Sequence, residues 1–95
     1  VYVNGLPKNI ANIEIGKQLV RSAGSVGANY IEAEESLSKK DFVMRIKISR
    51  KEAKESGYWV KLSDPLEEKI KDKESLLQES IELMKIFGAI VEKCK

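Results

Sequence analysis

Histidine is absent from these 95 residues, cysteine occurs once and proline twice. Without His the chain lacks the commonest general base and the usual nitrogen donor of a mixed nitrogen-and-sulfur metal site. The lone Cys94 cannot close an internal disulfide and reads as a buried structural thiol. No run approaches the ~20 apolar residues that a membrane-spanning helix needs. No charged-then-apolar leader is read in the first residues, so the expected location is cytoplasmic, with no membrane partner. Aromatic residues are scarce at 6%. No pattern specifies a reaction, and the expectation is a non-enzymatic protein with no cofactor, no metal and no catalytic residue.

What the chain does contain is charge and helical periodicity. With 42% hydrophobic and 34% charged residues it has the composition of an ordered, helical protein, and its length suits one domain spanning 1–95. Residues 22–28 are all Ser, Ala, Gly or Val. Two glycines cost a helix about 1 kcal/mol each relative to Ala. Their presence predicts a central helix with a flat face against which others pack closely.

Three helices are predicted, over 10–37, 38–62 and 65–93. In the first, Ile15, Leu19, Ala23, Val26, Tyr30, Ala33 and Leu37 recur at steps of three or four, and Asn12 is the expected N-cap. Ser38 should cap the second, with Asp41 favourable to the positive end of its dipole. Phe42, Ile46, Ser49, Ala53, Gly57 and Val60 form its inner stripe. Met44, Ile48, Trp59 and Leu62 lie on the opposite side, and two apolar faces imply two neighbours. Asp64 as N-cap, Pro65 in the first turn and Glu67 behind them predict the start of the third helix. Leu83, Phe87 and Ile90, on its wide apolar half, are expected to join Trp59 in an interface with another chain. Residues 1–3 read as the last turn of a helix closed by Asn4-Gly5, and an upstream helix is expected before them.

The charges are unevenly shared. The second helix carries eight basic residues against three acidic, whereas the first and third are each net acidic. On a helical wheel Lys40, Lys47, Lys51, Lys54 and Tyr58 fall within about 60 degrees of one another, with Arg50 and Lys61 beside them. Such a stripe is a candidate track for RNA or DNA phosphates, with Lys40, Lys47, Arg50, Lys51 and Lys54 as its contacts and Tyr58 able to stack on a base. The plainer reading is a solvated face whose lysines pair with acids on neighbouring helices. Glu32, Glu34 and Glu35 form an acidic cluster, read as ion-pair partners and not as a metal or acid–base site. Asn29 and Glu32 would need partners if buried, with Arg21, Lys54 and Tyr58 as candidates. A protein-interaction scaffold that binds no nucleic acid is the alternative function.

Residues 21–33 (Arg-Ser-Ala-Gly-Ser-Val-Gly-Ala-Asn-Tyr-Ile-Glu-Ala), then Asp41-Phe42, Lys51-Glu52-Ala53-Lys54-Glu55 and Tyr58-Trp59, together resemble the bacterial four helix bundle protein family. Some of its members are encoded by intervening sequences within large-subunit ribosomal RNA genes. The resemblance is close over 15–62, and the long last helix fits in length and pattern. It implies an all-α, antiparallel, up-and-down four-helix bundle whose first helix is truncated in this chain. It also implies a homopentameric ring and kinship with the accessory variability determinant of diversity-generating retroelements, a basic pentamer that binds nucleic acid and a reverse transcriptase. The molecular role of the family is largely uncharacterised, and the resemblance supplies no catalytic residue.

Overall fold

The computed structural model describes residues 2–95; Val1, the start of the expected helical tail, lies outside the described residues. Three long helices, α1 (Ile10–Glu34), α2 (Lys39–Leu62) and α3 (Ile70–Lys93), account for most of the chain, with 3-10 turns at Val3–Gly5 and Glu67–Lys69. The protein is all-α, with no strand among the described residues. The short links 35–38 and 63–69, the latter including the second 3-10 turn, join the long helices, so successive helices run antiparallel.

The ends of the helices show which local signals prevailed. Ser38 caps α2 as expected, its hydroxyl accepting the Asp41 N–H at 3.1 Å. The cap of α1 is Asn9, not Asn12: the Asn9 side chain accepts from the Asn12 N–H at 2.8 Å. Asn12 is buried and has a longer-range task. Its amide nitrogen donates to the carbonyls of Pro7 and Asp64, both at 3.0 Å, and its oxygen accepts the Asp64 N–H at 3.0 Å. That grip on Asp64 accounts for the second departure, because Leu66 is extended and regular α-helix begins only at Ile70 instead of Pro65. The first helix also stops short of Leu37. The Ser36 hydroxyl donates to the Glu32 carbonyl at 3.0 Å, and Leu37 projects fully into solvent.

Around the 63–66 link the chain is closed by further polar contacts. The Tyr2 and Ser63 hydroxyls are 2.6 Å apart, and the Lys73 ammonium donates to the Ser63 carbonyl at 2.8 Å. Replacing Asn12 by Ala would strand three hydrogen bonds at a buried position. The Asn12→Ala protein is expected to be less stable by about 2–3 kcal/mol, read as a lower urea midpoint at unchanged m-value.

The middle helix is α2, and this corrects the expectation that the small-residue helix is central. Both α1 and α3 pack on α2, while no Cα of α1 comes within 8 Å of one in α3. Ala33, Ile46, Ala53, Phe87 and Val91 form the core, with Val26, Phe42, Val43, Leu83, Met84 and Ile90 packed around them. The α1–α2 seam is small and polar. Ser49 donates to the Val26 carbonyl at 3.0 Å, the Ser22 and Ser56 hydroxyls are 2.9 Å apart, and Arg45 donates to the Asn29 side chain at 3.0 Å.

Close approach occurs at glycines other than those expected. A Cβ on Gly57 would lie 2.6 Å from the Ser80 hydroxyl of α3, and one on Gly16 would lie 2.9 Å from Val3. Gly24 and Gly27 face open space. The residues before them, Ala23 and Val26, line an apolar groove of about 430 Å³ between α1 and α3 together with Leu19, Val20, Val60, Leu76 and Leu83 among others.

Candidate nucleic-acid interface

Helical spacing places Lys40, Lys47, Lys51 and Lys54 on the outer side of α2, and all four are exposed. Arg50 is exposed too, and its guanidinium lies over Gly88 of α3, where a Cβ would sit 3.6 Å from Cζ. None of these five cations forms an ion pair with a described residue. The acids that might have neutralised them are engaged elsewhere or face water. Glu52 and Glu55 both pair with Arg21 of α1, the former at 3.1 Å, and Glu55, one turn on from Lys51, also accepts from the Trp59 indole at 2.9 Å. Arg21 is therefore not the partner of Asn29 or Glu32. Asn29 bonds to Arg45 and Ser25, while Glu32, Glu34 and Glu35 remain exposed without ion pairs.

The basic residues do not lie on a plain convex surface. Lys39, Lys40, Lys47 and Lys51 border an open trough of about 660 Å³ floored by Val43, Met44 and Ile48 and bounded by Cys94 at the end of α3. Lys54 continues the row beyond it. Tyr58, on the same face, is 55% exposed and meets Trp59 edge-on at a ring separation of 5.1 Å. Positive charge, an apolar floor and an exposed ring therefore share one side of α2. The arrangement can attract phosphates and cover bases. Among the described residues no three His, Cys, Asp or Glu side chains gather in a way that could hold a metal. Among the described residues no helix is long and apolar enough to cross a membrane.

A family model for the 23S rRNA-intervening sequence protein matches residues 2–89. The chain belongs to that family. A solved structure of a protein with unknown function from the S23 ribosomal protein family of Bacteroides thetaiotaomicron is 34% identical. The match covers 82% of this chain and 70% of that one, with a TM-score of 0.71. Comparison with curated proteins finds no match.

Within this family member the four residues expected at a chain–chain interface are placed differently from one another. Phe87 is 4% exposed inside the core and stacks at a tilt near Tyr30, with ring centroids 6.3 Å apart. Leu83 and Ile90 are partly buried against the same core. Trp59 sits half-covered near the end of α2, its indole donating to Glu55, with half-exposed Leu62 one turn on. The trough floor is the feature that reading the charges alone missed. Its signal was present in the spacing, since Lys40, Met44 and Ile48 follow one another at i, i+4 next to the Lys47–Lys51 pair.

Proposed function

We propose that this family member is a non-enzymatic helical-bundle subunit that binds RNA or DNA through the basic face of α2, with Lys40, Lys47, Arg50, Lys51 and Lys54 contacting phosphates. The observation that carries this reading is the row of exposed cations with no ion-pair partner among the described residues. Charges left free in this way are available for counterion release when a polyanion binds. Binding of this kind is dominated by the backbone and carries little sequence specificity. Fluorescence anisotropy against structured RNA and duplex DNA tests it, with charge reversal on the stripe as the control.

The same reading makes the chain part of a larger assembly. A fourth amphipathic helix of the protein would fill the groove between α1 and α3 and complete an antiparallel four-helix bundle. Copies of the bundle would then join in a ring, five by resemblance to the family. Supporting this are the apolar lining of the groove and the partly exposed strip of Trp59 and Leu62 at the end of α2. That strip also favours the second reading, a scaffold whose partner is another protein. A Leu62→Glu change is expected to shift the protein from oligomer to monomer by light scattering, because it places a charge in the strip. An unchanged mass would remove the strip from the interface.

A further inference from the structure

The geometry points to a single strand, not a duplex, as the nucleic acid that the α2 trough accepts, and this deepens the nucleic-acid reading on which it rests. The argument begins with the floor. Val43, Met44 and Ile48 lie among Lys39, Lys40, Lys47 and Lys51, so an occupant must offer negative charge and apolar surface together. A duplex presents phosphates and sugars along its outside and keeps the faces of its bases stacked within. Seated here, it would use the lysines and leave the apolar floor uncovered. A single strand can turn its bases onto the floor while its phosphates meet the ammonium groups, the combination that single-strand grooves use.

Two side chains on this face suit a base. Met44 is 46% exposed and carries a polarisable thioether suited to the face or edge of an aromatic ring. Tyr58 lies seven residues beyond Lys51, or ~10 Å along the helix. Its exposed ring extends the strand's path past the trough toward the far end of α2.

The test is anisotropy of the full-length protein with three labelled probes of equal length: a uridine-rich single strand, the same strand annealed to its complement, and an abasic strand. The single strand is expected to bind about tenfold more tightly than either other probe at the same salt. Met44→Ser and Tyr58→Ala should each weaken single-strand binding about fivefold and leave duplex binding unchanged. Thermal melts of both variants establish that the fold is retained. Equal binding of single strand and duplex, or indifference to both substitutions and to loss of the bases, would overturn the single-strand assignment while leaving the lysine face as a general phosphate track. Failure of all three probes to bind would overturn both readings.

Discussion

Reversing two charges at once, Lys47→Glu with Lys51→Glu, is expected to weaken nucleic-acid binding by at least about a hundredfold at 50 mM salt. The two residues are one helical turn apart, both exposed, and both on the wall of the trough. The double change removes two phosphate contacts and puts two repulsive charges in their place. Neither lysine has an ion-pair partner among the described residues, so the substitution breaks no link that holds the fold. Circular dichroism and melting temperature should therefore stay close to those of the parent. A double variant that still binds would show that the stripe is not the contact surface. A neutral pair, Lys47→Gln with Lys51→Gln, should fall between the two and reduce the salt dependence by the loss of about two released counterions.

Phe87→Ala is expected to cost about 3–5 kcal/mol of stability. The ring is 4% exposed and belongs to the cluster that joins α1, α2 and α3 through Ala33, Ile46, Ala53 and Val91. These four cluster members are small or β-branched and sit on three different helices, so the void left by the ring closes only in part. A loss of that size is a large share of the ~5–15 kcal/mol that stabilises a typical domain. In a chain of this length it should lower the melting temperature by at least about 12 °C. The variant also separates two roles. A residue of the chain's own core loses stability at every protein concentration, whereas an interface residue loses association first. Dilution experiments on Phe87→Ala should show the former.

Much of the helix pattern could be read from the residues because it is local. Ser38 and Asp41 mark the start of α2 by a hydrogen bond spanning three residues. The inner stripe of α2 follows from helical spacing, and Ile46, Ser49, Ala53, Gly57 and Val60 are all buried. Other boundaries were set by contacts that no local pattern carries. Asp64-Pro65 has the form of a helix start, yet the Asp64 backbone is held by Asn12, 52 residues earlier in the chain. Leu37 continues the apolar spacing of α1, but the Ser36 hydroxyl and the Ser38 cap end the helix before it. The small run 22–28 was read as one flat packing face. It is divided: Ser22 is fully buried in the seam with α2, while Gly24 and Gly27 face open space near the groove.

The candidate site shows the same division. Projection on a wheel groups the lysines, because exposure on a helix follows spacing. It does not decide whether they are neutralised, which depends on where the acids of α1 and α2 point. Arg21 of α1 engages both Glu52 and Glu55, and only the folded structure brings them together. The trough likewise needs the end of α3, at Cys94, to stand against the first turns of α2.

Anisotropy of the full-length protein against a structured RNA, titrated at about 50 and 200 mM salt, tests the central claim most directly. With about five phosphates contacted, affinity is predicted to fall on the order of several hundredfold between the two conditions. No binding at the lower salt, or binding that salt does not weaken, would contradict it and leave the basic face of α2 as a solvated surface.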